Sequence, residues 1–543
     1  MKTNLAYFVL FFIFSIPIFS QEIPIIKVGK NKISVKKLKV DVTVLGDIAI
    51  TTFDMYFYNP NQRVLEGELS FPLEENQSVI RFALEINGNL RDAVVVEKEK
   101  ARVAFETTVR NNIDPALLEK TKGNNYKARI YPIPAKGYKR VVLSFQQKLL
   151  IQNDAYFYKI PFNYKRKLEC FSFKMKVLNQ ENMPIITKGF NQNFKYNNST
   201  DSYFVEIERR KAKVAVPLTI KIPLNACKER VIMNKDFFCF LKQLNLKTEK
   251  NNLQNEITVF WDASLSQKNK KSSTELDFLN EYFIIVANCR VKLVVFNTEI
   301  REEITFTVQN SDWSDLKIKL QSLVYDGASS FNFLSEYKDT SKLNILFTDG
   351  LNTLSSLNIK LDKKTHIINS AVSANHTALK HMAAAVGGHY INLQQRSIKS
   401  AFEKITTNQM QFLGANISED FLELYPKKGI VIQNNFSISG KGNLENKKIK
   451  LFFGTKQDTL RAISVAIKNK TQHPFVSKIW AQKKLEFFAQ KSDKNEKEII
   501  KISKEYQIIS DFTSMIILDR VEDYVTHSIE PPKELKKKYD LLT

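Results

Sequence analysis

Residues 256–266, EITVFWDASLS, restrict the possible folds of this chain more than any other stretch. A β-branched and aromatic run ends abruptly in polar residues, which predicts a buried strand that stops at Asp262. In open α/β sheets, ligands bind at the carboxyl ends of the strands. Asp262, Ser264 and Ser266 would place three oxygen atoms there, and such hard ligands suit Mg²⁺ or Mn²⁺ rather than zinc or copper. The alternative is a plain strand-to-helix turn in which Asp or Ser caps the next helix.

Residues 256–410 alternate apolar strand patterns with helical patterns. This order predicts a doubly wound, Rossmann-like sheet with helices on both faces. The regions before and after it instead show period-two alternation, which is typical of β-strands. We therefore predict a multi-domain chain that combines an α/β region with all-β regions.

Changes in composition and polar linkers divide the chain further. The predicted parts are a signal peptide (1–20), a β domain (21–150), a β-rich extension (151–247), an α/β domain (256–410), a C-terminal β and helical segment (411–530) and a charged tail (531–543).

The N-terminus has the pattern of a secretory signal peptide. A short positive segment precedes the apolar run Leu5–Phe19, and the small residue Ser20 follows it. The run is shorter than a transmembrane helix requires, and no other segment is apolar enough to span a bilayer. We expect a secreted, periplasmic or cell-surface protein that has no transmembrane segment once the signal is removed.

The net charge is strongly positive, with 81 Lys and Arg against 57 Asp and Glu, a formal +24. An excess of this size could serve a nucleic-acid partner. The basic residues are mostly lysines spread along the chain, without an arginine-rich stripe, so we predict a solvated basic surface and no nucleic-acid partner. Among four cysteines, Cys227 and Cys239 are near enough for a local disulfide, although their spacing does not establish one.

Several motifs in the first β region occur together in one known family. They are ELSFPL (68–73), EKEKARVAFE (97–106), PALLEK (115–120) and YKARIYPIP (126–134). In residues and spacing, this region resembles the VIT domain (vault protein inter-α-trypsin). The resemblance implies a β-sandwich-like module without known catalytic chemistry.

Two later stretches share the polar character of the opening one. LFTDG (346–350) ends a predicted strand at Asp349, and YDGASS (325–330) places Ser329 between the two. With the D-x-S-x-S of the first stretch, they resemble the three loops of the metal-ion-dependent adhesion site in von Willebrand factor type A domains.

This second resemblance implies a role for each residue. Ser264, Ser266 and Ser329 would supply neutral hydroxyls, while Asp262 and Asp349 would supply negative charge, partly through bound waters. The implied ion is Mg²⁺, or Mn²⁺ or Ca²⁺, and its open position would take an acidic residue of a partner.

Some residues depart from the family pattern, so an inert site is the alternative. Ser329 stands where the family has threonine and lacks the methyl group that restricts the rotamer. Ala328 replaces a glycine. Lys268, Lys270 and Lys271 follow the first loop, and nearby positive charge weakens cation binding.

The order of these parts, over about residues 30–530, resembles inter-α-trypsin-inhibitor heavy-chain-like proteins and their secreted bacterial relatives. The resemblance implies an adhesion-type protein that binds another protein, or a matrix or surface ligand. A structural or assembly scaffold with an inert site is one alternative, and a metal-assisted hydrolase is another. No G-x-S-x-G, H-E-x-x-H, Walker A or G-x-G-x-x-G motif occurs, so we identify no catalytic residue and expect no enzyme.

Overall fold

The structure is a computed structural model, and it describes most of the chain after the N-terminus. The described residues are 25–28, 31–110, 115–152, 155–164, 166–224, 229–244, 252–338, 340–352, 354, 359–407, 410–416, 423–432, 435–442, 449–454, 459–465 and 470–543. The predicted signal peptide and Cys227 lie outside these ranges. Among the described residues, no helix combines the length and apolar character needed to cross a membrane.

The N-terminal region is built from two large β-sheets that share one hydrophobic core. In spatial order, the seven-stranded sheet contains Asn31–Ile33, Ile25–Val28, Leu65–Pro72, Asn125–Ile133, Ala116–Thr121, Thr513–Ile517 and Val94–Glu97. The eight-stranded sheet contains Lys195–Asn197, Ser202–Ala212, Leu168–Leu178, Val35–Leu45, Ile48–Tyr58, Tyr138–Lys148, Gln77–Ile86 and Asn89–Asp92.

Period-two alternation explains why these strands pack as they do. In Val35–Leu45, Val40 and Val42 are buried, while Lys39 and Asp41, which alternate with them, face outward. One face of the strand therefore contributes to the core and the other stays polar. A four-stranded sheet adjoins this core and contains Leu150–Gln152, Ala155–Ile160, Leu218–Pro223 and Ile185–Lys188.

One strand of the seven-stranded sheet comes from the far end of the chain. Thr513–Ile517 lies between Val94–Glu97 and Ala116–Thr121 and is antiparallel to both. Met515 and Ile517 enter the N-terminal core. The predicted C-terminal segment thus completes a sheet whose other strands all precede residue 134.

A second β region is assembled from both sides of the α/β region. Its five-stranded sheet contains, in order, Glu423–Tyr425, Asn435–Lys441, Phe237–Gln243, Glu229–Asn234 and Lys470–Gln472. Its three-stranded sheet contains Gln411–Ala415, Ile449–Gly454 and Thr459–Val465. Leu244 and Met410, which flank the α/β region, pack in the same core. The α/β region is therefore inserted into this second β region.

The inserted region, residues 252–407, is called the α/β unit below. Its sheet contains, in spatial order, Ile300–Val308, Cys289–Phe296, Glu256–Asp262, Leu343–Phe347, Thr365–Asn369 and Tyr390–Asn392. All neighbouring pairs are parallel except the pair at the Ile300–Val308 edge.

Both faces of this sheet are buried, as the nearly continuous apolar character of the central strands requires. Ile257, Val259 and Trp261 pack with helices Ser272–Val286, Ser314–Gln321 and Ile398–Ile405. Phe260, on the opposite face, packs with helix His376–Ala385.

The other helices cover the β regions. Ala101, Ala104, Phe105 and Thr108 form the buried face of helix Lys98–Arg110. The remaining helices are Val476–Phe488, Ser492–Tyr506, Val521–Thr526 and Lys533–Leu542, the last within the predicted charged tail. The protein is thus a mixed α/β chain rich in strands and built from several sheets, as predicted. Cys170 is an exposed free thiol, and Cys239 and Cys289 are buried free thiols.

Candidate metal centre

The two predicted aspartates lie at the same edge of the α/β sheet. Asp262 is the last residue of strand Glu256–Asp262, and Asp349 follows strand Leu343–Phe347 by two positions. The strands run parallel, with Trp261 opposite Phe347. Their carboxyl ends therefore meet, and both aspartate side chains are fully buried there.

The first loop folds around the Asp262 carboxylate. Oδ1 of Asp262 accepts a hydrogen bond from the Ser264 amide at 2.9 Å, and the Ser264 and Ser266 hydroxyl oxygens are 3.1 Å apart. Ser264 precedes the short 3₁₀ helix Leu265–Asn269, but its side chain makes no capping hydrogen bond. Ser264 therefore does not cap this helix, which was the alternative role for a serine in this turn.

Backbone hydrogen bonds join the first loop to the loop that carries Ser329. The Leu265 amide donates to the carbonyl of Gly327 at 3.0 Å, and the Asp326 amide donates to the carbonyl of Ala263 at 3.0 Å. Gly327 has a φ of +70°, a conformation that favours glycine. The loop can thus turn tightly toward the first one.

Side-chain hydrogen bonds connect the third loop to the other two. Thr348 donates through Oγ1 to Oδ2 of Asp262 at 2.6 Å. The Leu351 amide donates to Oδ1 of Asp349 at 2.9 Å, while the Ser329 hydroxyl donates to the Leu351 carbonyl at 2.5 Å. All five predicted residues are therefore carried by three mutually hydrogen-bonded loops.

The electrostatics of this edge disfavour two ionised carboxylates. Burial raises the pKa of Asp262, against the lowering effect of its hydrogen bonds from Thr348 and Ser264. Burial and then the charge of Asp262 raise the pKa of Asp349 to about 7. Oδ2 of Asp349 is buried and makes no hydrogen bond of ordinary geometry among the described residues. The nearby Ser266 hydroxyl lowers the pKa of Asp349, but burial and Asp262 outweigh this effect. A cation at this edge would offset both the mutual repulsion and the missing partner.

The donor set determines which ions fit. The described residues contain no group of three or more His, Cys, Asp or Glu side chains that could hold a metal ion. The group found here instead has two carboxylates and several hydroxyls. Such all-oxygen donors fit Mg²⁺, with water completing the shell, and do not fit zinc.

The lysine run after the first loop is split between surface and interior. Lys268 is exposed, whereas the Lys270 side chain is buried, with Nζ 2.8 Å from Oε2 of Glu275 and 4.2 Å from the centre of the Trp261 ring. Glu275 also accepts a hydrogen bond from the Ser370 hydroxyl at 2.8 Å. Lys270 thus belongs to a buried ion pair beside the site.

Sequence reasoning assigned no role to Thr348 or Glu275. Thr348 stood within the quoted LFTDG motif and could have been found from that position. Glu275 is near Lys270 in the sequence, but no local signal showed that the pair is buried and that Glu275 contacts Ser370. Asp326 lies on the middle loop but is exposed, and it pairs with Arg301 at 3.1 Å. It therefore behaves as a turn residue rather than as a part of the candidate metal centre.

Comparison with known proteins supports one domain assignment. Residues 35–145 match the family model described as the vault protein inter-alpha-trypsin domain, so the chain carries a VIT domain there. No curated protein matches the chain. A crystal structure described as a candidate nutrient-binding protein from Legionella pneumophila is 7% identical and has a TM-score of 0.25. The match covers 37% of this chain and 70% of that chain. A likeness this low carries no argument about fold or function.

Proposed function

We propose that this protein is a binding protein in which the α/β unit is a von Willebrand factor type A domain that holds a divalent cation. Asp262, Ser264, Ser266, Ser329 and Asp349 would hold the ion. The observation that carries the proposal is the buried Oδ2 of Asp349, which lacks a hydrogen bond of ordinary geometry among the described residues and lies close to a second buried carboxylate. An orphaned buried oxygen is costly in a folded protein unless a ligand completes it.

The chemistry of the proposed site is electrophilic. With few direct carboxylates, a bound Mg²⁺ would retain affinity for one more oxygen ligand. An acidic side chain of a partner protein, or of a matrix or surface ligand, has the matching chemistry. The parallel sheet with helices on both faces, and the position of the aspartates at its carboxyl edge, support this assignment.

The remaining parts of the proposal concern the whole chain. The VIT domain and the second β region would act as a scaffold that presents the α/β unit, as in inter-α-trypsin-inhibitor heavy-chain-like proteins. The N-terminal pattern of residues 1–20 supports secretion or a periplasmic or cell-surface location. We propose no catalytic activity, because the sequence carries none of the catalytic motifs considered above.

The second candidate is a scaffold with an inert site, and buried Lys270 favours it. Its ammonium group lowers the pKa of both Asp262 and Asp349, so it already supplies part of the compensating charge. The two candidates differ in a simple respect. Only the first requires that the folded protein bind a divalent ion.

Calorimetric titration with Mg²⁺ and Mn²⁺ tests the proposal. We expect saturable binding to the wild type, none to Asp262→Ala, and normal binding to Asp326→Ala, the matched control, because the Asp326 side chain is exposed and pairs with Arg301. A melting temperature that rises with Mg²⁺ only in the wild type and the control would agree, because a ligand of the native state stabilises it. Equal heats in all three proteins would eliminate the metal site and favour the scaffold.

Partner binding is a separate step of the test. The wild type should capture an acidic ligand, and this binding should disappear in EDTA and in the Asp262→Ala variant. The melting curve of that variant should show that it is still folded. Capture that persists in EDTA would contradict a metal-mediated contact. Hydrolytic turnover that is lost in Asp262→Ala would point instead to the hydrolase.

A further inference from the structure

The VIT domain contacts the loop that carries Asp349. In the turn between strands Ala116–Thr121 and Asn125–Ile133, Lys122 donates through Nζ to the Asn352 carbonyl at 2.9 Å. Asn352 lies three residues after Asp349, and the amide of intervening Leu351 donates to the Asp349 carboxylate. Lys122 therefore contacts the residue next to Leu351, and the Leu351 amide bonds directly to Asp349 of the candidate metal centre.

The same turn holds the neighbouring loop of the α/β unit. Asn125 donates through Nδ2 to the Ser373 hydroxyl at 2.6 Å, and that hydroxyl donates to the Gly123 carbonyl at 3.2 Å. Gly123 has a φ of +79°, and a Cβ there would lie 2.0 Å from Oγ of Ser373 and 3.2 Å from Cδ2 of Leu351. Only glycine allows this close approach.

A second contact lies on the same face of the unit. The VIT residue Glu75 accepts from Nζ of Lys380 at 2.7 Å and from Nδ2 of Asn392 at 3.1 Å, one carboxylate oxygen to each. Its side chain is 12% exposed. Burial alone would raise the pKa of Glu75, but Lys380 and then His376 outweigh it, so the pKa is lowered to about 2. The α/β unit thus has a fitted carboxylate site, which the VIT domain fills.

Lys380 connects this carboxylate site to the metal loop. It lies in helix His376–Ala385, which Asn375 caps by accepting a hydrogen bond from the Ala378 amide. The amide of Asn375 in turn donates to the carbonyl of Asp349 at 2.8 Å. Each VIT contact is therefore connected to Asp349 by one short segment of the α/β unit. For Lys122 this segment contains Leu351 and Asn352, and for Glu75 it runs from Asn375 to Lys380.

We infer that docking of the VIT domain, through Glu75 and the turn Lys122–Asn125, sets the affinity of the candidate metal centre. This inference rests on the proposed function. The two contacts hold the Asp349 loop from two directions, through Asn352 and through the segment that begins at Asn375, whose amide donates to the Asp349 carbonyl. Because linkage is reciprocal, metal binding in turn strengthens the docking.

The test compares Mg²⁺ affinity in the wild type, Glu75→Gln, Lys380→Met and the double variant. Glu75→Gln keeps the shape and an oxygen for Asn392, so it removes mainly the charge. We expect each single variant to bind Mg²⁺ at least about 5-fold more weakly, the low end of typical coupling, with no further loss in the double variant. Glu68→Gln is the matched control, because Glu68 is a VIT residue whose partner, Lys127, is also in the VIT domain.

A second measurement does not depend on metal affinity. Hydrogen exchange of residues 122–125 and 349–352 should be faster in Glu75→Gln than in Glu68→Gln, and Mg²⁺ should slow it in the wild type. Wild-type Mg²⁺ affinity and exchange in Glu75→Gln would overturn the inference while leaving the metal site intact. Absence of Mg²⁺ binding to the wild type would instead overturn the proposed function, and the inference with it.

Discussion

At the scale of single residues, the two aspartates at the sheet edge lower the stability of the metal-free protein. Both are buried, and the pKa of Asp349 is raised to about 7 by burial and by Asp262. An acid whose pKa is raised in the folded state destabilises that state progressively as the pH rises from its ordinary value toward the raised one. Sites that bind ligands commonly carry such a stability penalty.

Asp349→Asn should therefore stabilise the metal-free protein. In EDTA at pH 8 we expect a gain of about 1–2 kcal/mol in the free energy of unfolding, because the buried charge is gone. The gain should shrink as the pH falls from 7 toward 4, where wild-type Asp349 is protonated in the folded state. Thermal melts across this pH range measure it. A gain that is independent of pH, or a loss at pH 8, would contradict the assigned pKa.

The buried pair of Lys270 and Glu275 gives a second prediction at this scale. Lys270→Met leaves the Glu275 carboxylate buried without its partner, and we expect a loss of about 3–5 kcal/mol in denaturant unfolding. Adding Glu275→Gln removes the stranded charge and keeps an acceptor for the Ser370 hydroxyl, so most of the stability should return. Equal losses in the single and double variants would mean that the pair is not coupled.

At the scale of elements, the short strand Thr513–Ile517 joins two parts of the seven-stranded N-terminal sheet. It is buried along its whole length and bonded on both sides within the N-terminal sheet. Without it, strands Val94–Glu97 and Ala116–Thr121 would face each other across an empty position. Their backbone groups and the core side chains beneath would lose their partners.

Truncation tests this role directly. A chain that ends at Ser510 should lose the N-terminal sheets' cooperative melting and become prone to aggregation, because two strand edges and an apolar core are exposed. A chain that ends at Pro532 is the control, since it keeps the buried Pro531 and Pro532 and lacks only helix Lys533–Leu542, which has no fully buried residue. Far-UV circular dichroism and light scattering distinguish them. Similar melting of the two chains would show that the strand is dispensable.

At the scale of the whole molecule, the α/β unit is an insertion. The strands before and after it pair in one five-stranded sheet, with Phe237–Gln243 bonded to Asn435–Lys441. Leu244 and Met410 pack in the same small core at the two ends of the insertion. The second β region therefore has its own core, independent of the α/β unit.

Replacing residues 245–409 with a short Gly-Ser linker should therefore leave the rest of the chain folded. We expect a melting transition from the β regions and no Mg²⁺ response. The excised unit, residues 252–407, should fold and bind Mg²⁺ more weakly than the full chain, because it lacks the VIT contacts. Circular dichroism and calorimetry measure both. An excised unit with full affinity would argue against any influence of the VIT domain.

The sequence alone determined the local elements and the types of atoms at the candidate site. Apolar periodicity identifies which face of a strand is buried, so strand Glu256–Asp262 and its polar end could be predicted from residues in one stretch. The motif at Asp349 could be predicted in the same way. The VIT domain was also evident from its motifs, and the family match over residues 35–145 confirms it.

Only the tertiary structure decided which elements meet. Periodicity shows that Met515 is buried but not that its partners, Val95 and Leu118, lie some four hundred residues earlier in the chain. It likewise does not distinguish buried Lys270 from exposed Lys268, since both have the same side chain in the same polar run. Burial of a lysine depends on a partner such as Glu275, which is near in sequence, but the burial of the pair and the contact of Glu275 with Ser370 come from packing.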